Sequence, residues 1–128
     1  MVQRVERVIE ALDEFVEQVI IRLSTEITAN LIETTPVDTG WARANWVPAI
    51  GQPVRDPAGS PEAVNTAEQN SGISGLLRYQ RERGSVFISN NVPYIIYLNA
   101  GSSAQAPSGF VENAIDRGIA TVRARGGR

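Results

Sequence analysis

From Val2 to Glu33 the apolar residues Val5, Val8, Ile9, Leu12, Phe15, Val16, Val19, Ile20, Leu23, Ile27 and Leu31 recur at steps of three and four. This spacing gathers side chains on one face of a helix. The opposite face carries Glu6, Glu10, Glu14 and Glu17, and Thr35-Pro36 ends the run because the residue before proline is pushed out of the α region. The C-terminal half is rich in β-branched residues, so burial rather than intrinsic propensity has to hold the helix together. About 32 residues at 1.5 Å each span roughly 48 Å, whereas a compact domain of this length has a diameter of about 36 Å. Such a helix either bends or projects, and a projecting end needs another subunit over its apolar stripe, Phe15 included.

The 128 residues suit one domain, residues 1–128, with enough surface to bury that no staple is required. No apolar run reaches the roughly 18 residues of a membrane span, and the charged, amphipathic start does not read as a secretory signal. Cysteine and histidine are both absent. That removes disulfides, thiolate ligands, the commonest metal ligand, the commonest general base and every Ser-His or Cys-His arrangement. The reading is therefore non-enzymatic, with no cofactor and no metal site. Residues 1–64 hold five arginines against ten acids, and residues 65–128 hold seven against four. Oppositely charged halves suit stacking against neighbours in an assembly.

Asp38-Thr39-Gly40 matches the triplet of aspartic proteases, in which two such loops share a proton between their carboxylates. There the triplet follows an apolar strand in an almost all-β protein; here it follows a long helix and Thr-Pro. A structural turn is the better reading, with Asp38 accepting backbone N–H bonds and Gly40 relaxing the backbone. Trp41 to Trp46 should make one helical turn and pass into a strand over Val47-Pro48-Ala49-Ile50, with Trp41, Arg43 and Asn45 brought together. Pro48 places that strand at a sheet edge or breaks it. Residues 51–84 read as a loop and short-helix arm. Ser60-Pro61-Glu62 is a helix-start signal for a helix reaching about Asn70, Asn70-Ser71-Gly72 an interruption, and Gly75 a weak point in a segment running to Arg83. Arg78, Arg81 and Arg83 form a basic cluster that could face DNA through phosphate contacts.

Ser85 to Ser89 has the β-branched and aromatic content of a strand, and Asn90-Asn91 suit the turn after it. Pro93 opens a short helix that places Tyr94, Ile95, Tyr97 and Leu98 on one face and closes at Gly101. Ser102 to Gly109 is a loop of small and polar residues that must lie on a surface or against a partner. Ser108 then caps a last helix with apolar Phe110, Val111, Ala114, Ile115, Ile119 and Val122. Residues 123–128 form a basic tail, mobile unless a partner orders it.

A strand ending in Ile88-Ser89-Asn90-Asn91, then Val92-Pro93-Tyr94, an aromatic helix closing on Ala100-Gly101, then Gln105-Ala106-Pro107 and Gly109-Phe110-Val111, resembles the minor tail, neck or tail-completion proteins of tailed bacteriophages, the minor tail protein Z-like family. Thr35-Pro36-Val37-Asp38-Thr39-Gly40 adds to the likeness, and residues 51–83 match least. Relatives usually carry an acidic residue where this chain has Asn99. The resemblance implies a ring, sixfold as phage tails are, joining the head connector to the tail tube or terminator around passing genomic DNA, in the virion and in host cytoplasm during assembly. Tyr94, Tyr97, Gln105, Ala106 and Pro107 are the expected contacts, since aromatics and stiffened loops are favoured anchors. The element order gives an α+β fold, a small mostly antiparallel sheet packed by the long N-terminal helix and a C-terminal helix. The competing readings are a dimeric aspartic-type protease using Asp38 and a small DNA-binding module.

Overall fold

The computed structural model describes residues 2–37, 40–101 and 108–125. Along the chain come α1 (Val2–Thr34), α2 (Trp41–Ala44), β1 (Val47–Ile50), α3 (Ala67–Leu76), a single 3₁₀ turn (Arg81–Arg83), β2 (Val86–Ser89), α4 (Ile95–Asn99) and α5 (Phe110–Ala124). The α+β expectation holds: β1 and β2 pair antiparallel, and the long N-terminal helix and the C-terminal helix pack on the sheet.

The core forms where the C-terminal half of α1 meets everything else. Leu31, Ala42, Trp46, Val92, Leu98, Phe110 and Ala114 make one buried cluster, with Ile88 and Tyr94 packed against it. Down the helix pair, Asn30 Nδ2 donates to the Ala114 carbonyl at 3.2 Å, and Gly118 sits so close to Ile27 that a Cβ there would lie 2.6 Å from Ile27 Cγ1. Two small residues one turn apart, Ala114 and Gly118, thus let the axes approach. Arg125 reaches Glu26 at 3.6 Å at the far end, so α5 runs antiparallel to α1.

The end of α1 is tied down by side chains from the turn after it. Arg43 Nη2 donates to the carbonyls of Glu33 and Thr35 at 3.2 and 3.1 Å, taking up acceptors that a helix C-terminus leaves unpaired. Trp46 Nε1 donates to Thr35 Oγ1 at 2.7 Å, and that hydroxyl donates to the Leu31 carbonyl. Arg43 therefore does not join Trp41 and Asn45. Because residues 41–44 are helical, positions 41 and 45 share a face and position 43 points elsewhere. Trp41 Nε1 and Asn45 Nδ2 both donate to the Ala58 carbonyl, and Asn45 Oδ1 accepts from the Ala58 N–H at 2.7 Å. The long loop after β1 is pinned by this clamp.

Pro48 sits in β1 without breaking it. Gly51 N–H donates to the Ser85 carbonyl, and with Pro48 opposite Ile88 the alternation of antiparallel pairs puts Pro48 at a non-hydrogen-bonded position, where its missing N–H costs the ladder nothing. Two sequence expectations are corrected next to it. The helix does not start at Ser60: Gly59, at φ +64°, leads into a tight reversal in which Ser60 and Ala63 bridge to each other, and the helix opens at Ala67, whose N–H is taken by Asn65 Oδ1. Nor does Asn70-Ser71-Gly72 interrupt it. A Cβ on Gly72 would lie 2.4 Å from the Pro48 carbonyl oxygen, so this glycine lets α3 lie on β1, and Gln69 there donates to the carbonyls of Arg43 and Trp46.

The start of α5 also differs from expectation. Gly109, at φ +81°, occupies the cap position, and the cap comes from outside the helix: Asn99 Oδ1 accepts from the Val111 N–H at 2.9 Å while Asn99 Nδ2 donates to both Glu112 oxygens. Arg123 and Ala124, expected in the tail, belong to α5; residues 126–128 lie outside the described residues.

Candidate assembly surface

The first half of α1 extends past the core. Residues 3–12 are exposed throughout, and Val5, Val8, Ile9, Leu12 and Phe15 are each 53 to 58% exposed. At about 50 Å for 33 residues, the helix outreaches the globule built on its second half. Of the two options the sequence left, a bent core helix and a projecting one, this exposed stripe matches the second.

The polar contacts that reach this half from elsewhere among the described residues come from one residue. Arg81 Nη1 pairs with Asp13 Oδ1 at 2.6 Å, and the Arg81 backbone N–H donates to Glu17 Oε2 at 2.8 Å. The three arginines of the basic cluster therefore do not act together. Arg81 turns to α1, whereas Arg78 and Arg83 line a depression of about 200 Å³ beside Pro48, Gly72 and Gly75.

Further along the stripe, Ile20, Leu23 and Ile27 of α1 face Tyr79, Val86 and Ile88 across a groove of about 380 Å³. Val86 and Ile88 stand in non-hydrogen-bonded pairs with β1, so their backbone groups point to the outer side of β2. Exposed stripe and groove form one apolar track along α1.

Tyr94 and Tyr97 part company. Tyr94 packs on Trp41 with ring centroids 6.0 Å apart, and Leu98, one turn on, is buried; Tyr97 is 68% exposed beside Ile96 at 75%. The four-residue step prevails over the three-residue one, leaving Ile96 and Tyr97 as a second exposed apolar spot. Gly101 has φ +95° and Gly40 φ +78°, conformations in which a side chain is strained. Gln105, Ala106, Pro107 and Asp38 lie outside the described residues.

A cavity of about 540 Å³ opens where the end of α1 meets α5 and includes Glu33, Arg43, Asp116 and Arg117. Two acids and two arginines give it no net sign, and Arg43 is already committed to the end of α1. Among the described residues no group of three or more acidic side chains is arranged to hold a metal ion, and no helix is long and apolar enough to cross a membrane.

The Asn45 clamp, the Asn99 cap and the Gln69 contacts went unread in the sequence. Each joins positions 12 to 26 residues apart, and a lone amide residue gives no local sign of such a partner. Comparison of the chain with protein-family models, with curated proteins and with solved structures returns no match.

Proposed function

We propose that this chain is a non-enzymatic structural protein of a tailed phage or prophage. It assembles as a closed ring of copies at the neck or head-proximal end of the tail, joining head-side and tail-side proteins around the DNA passage. The observation that carries the self-assembly is the half-exposed row Val5, Val8, Ile9, Leu12 and Phe15 on a helix that outreaches its own core. Full burial of such side chains is worth about 1.5–3 kcal/mol each, so covering the exposed half of five of them contributes about 4–8 kcal/mol per copy. A single contact of that size does little more than offset the cost of association; closing a ring adds one further contact without the loss of freedom that recruiting another copy costs.

The placement in a phage particle rests on the resemblance of Thr35 to Gly40 and Ile88 to Val111. The same resemblance supplies the sixfold symmetry and the head-closure and tail-terminator or tube partners. Absence of histidine and cysteine favours building over catalysis. Native mass measurement of the purified protein, alone and mixed with tail tubes, tests the reading. It predicts one discrete oligomer and co-sedimentation with tubes; a monomer at all concentrations that never joins a tube contradicts it.

A further inference from the structure

Arg78 and Arg83 are both exposed, and neither is in an ion pair among the described residues. They line one depression of about 200 Å³ whose other walls are Pro48, Ala49, Ile50, Gly72 and Gly75. The two arginines are therefore the only charges in its walls. The acids nearest in the chain lie elsewhere. Three residues complete a turn of 3₁₀ helix, so the side chains of Arg81, Glu82 and Arg83 leave it about 120° apart. Arg81 reaches Asp13 on α1 and Arg83 reaches the depression, which leaves Glu82 the third direction. Glu68 precedes Gly75 by two turns of α3, about 10 Å along its axis.

The backbone adds a donor. Gly51 N–H bonds to the Ser85 carbonyl and Ile50 stands opposite Val86, so Ile50 directs its N–H and C=O away from β2. The Pro48 carbonyl points the same way, and Gly72 of α3 sits against it. The outer edge of β1 is thus the side on which α3 and the depression lie. Pro48 has no N–H to offer there, and that of Ile50 meets no partner among the described residues. Two guanidinium groups and a backbone N–H around one small concavity make a donor set for a compact oxyanion, and the planar fork of arginine matches phosphate. Sites that enclose a whole small ligand run to roughly 300–1,000 Å³. A smaller depression suits one group of a chain that passes over it.

We infer that Arg78, Arg83 and the Ile50 N–H hold a backbone phosphate of duplex DNA, irrespective of base sequence. This deepens the ring reading by naming the surface that meets the DNA passage, and rests on that reading for the DNA. Arg81, held by α1, takes no part.

Three proteins are compared: the unmodified chain, Arg78→Gln with Arg83→Gln, and a control that removes the same charge from α5, Arg117→Gln with Arg123→Gln. Each is titrated against a short labelled duplex of arbitrary sequence by fluorescence anisotropy, between about 50 and 200 mM salt. The depression variant is expected to bind about tenfold or more weakly than its parent, with a shallower salt dependence. The α5 control should lose less than about threefold, its charges being screened from the contact. Equal losses in both variants would reduce the effect to net charge and overturn the site, as would an unmodified protein that does not bind the duplex. Inorganic phosphate separates a free ion from a phosphate within a polymer: thermal stabilisation by phosphate over chloride at equal ionic strength, without duplex binding, overturns the DNA assignment. Native mass completes the comparison. A variant that keeps the oligomer and binds the duplex as its parent does overturns the site and leaves the ring standing. Loss of the oligomer with the two arginines would mean that they meet an acidic surface of a neighbouring copy, and overturns the DNA contact. Duplex binding through the depression by a parent that is monomeric throughout supports the site and removes the ring.

Discussion

Two glycines in one helix, three residues apart, should respond oppositely to the same substitution. Gly72→Ala puts a methyl 2.4 Å from the Pro48 carbonyl oxygen and 3.1 Å from Pro48 Cδ. The first neighbour is backbone in a strand whose other side is bonded to β2, so it cannot swing away as a side-chain tip would. Overpacking of this kind costs about 1–3 kcal/mol, and its upper end applies here; the gain in helix propensity returns up to about 1 kcal/mol. A net loss of about 2 kcal/mol follows. Gly75→Ala meets nothing within 4 Å and keeps the propensity gain of about 0.5–1 kcal/mol. In urea unfolding at one fixed protein concentration, with a slope of about 1.5 kcal/mol per molar, the Gly72→Ala midpoint should fall by about 1.3 M and that of Gly75→Ala rise by about 0.5 M. If both substitutions raise the midpoint, α3 does not lie on β1 as described.

Other side chains carry further tests. Asn45→Leu keeps the branching at Cγ, adds bulk at a buried site, and strips both the Ala58 N–H and its carbonyl of the Asn45 partner; it should cost about 2–4 kcal/mol, and a loss below about 1 kcal/mol in thermal unfolding would mean that the clamp is not formed. Asn99→Ala removes the cap on Val111 and should cost about 1 kcal/mol, with faster amide exchange confined to the first turn of α5. Arg81→Ala breaks a pair whose side chains are 52 and 47% exposed, so global stability should fall by less than about 1 kcal/mol; a larger drop would show that the projecting half of α1 leans on the domain more than its exposure implies.

What the sequence made legible was what repeats or is punctuated locally. The three-and-four rhythm gave α1 to within a residue of its end, the Ser85–Ser89 and Val47–Ile50 runs gave both strands to within a residue, and the mismatch between helix length and domain diameter left a bent helix and a projecting one as the two options. The errors share a cause. Ser60-Pro61-Glu62 carries the chemistry of a helix start, but Gly59 turns the chain back there; Gly72 reads as a breaker, yet its use is to admit another element. Glycine marks either a bend or a close approach, and only the neighbour at 2.4 Å distinguishes them. The same holds for the assembly surface: the apolar row was evident, whereas the engagement of Arg81 with Asp13 and the separation of Tyr97 from Tyr94 depend on contacts distant in sequence or on which way a five-residue helix rolls.

The claim on which the account turns is that copies of this chain cover each other's α1 stripe. Native mass spectrometry of the unmodified protein beside Leu12→Asp, which puts a charge in the middle of the stripe at a side chain 57% exposed in the single copy, is the decisive comparison. A single closed oligomer is expected for the unmodified protein and folded monomers for the variant, with near-parental far-ultraviolet circular dichroism. An unmodified protein that stays monomeric at high concentration, or a variant that assembles as well as its parent, contradicts it.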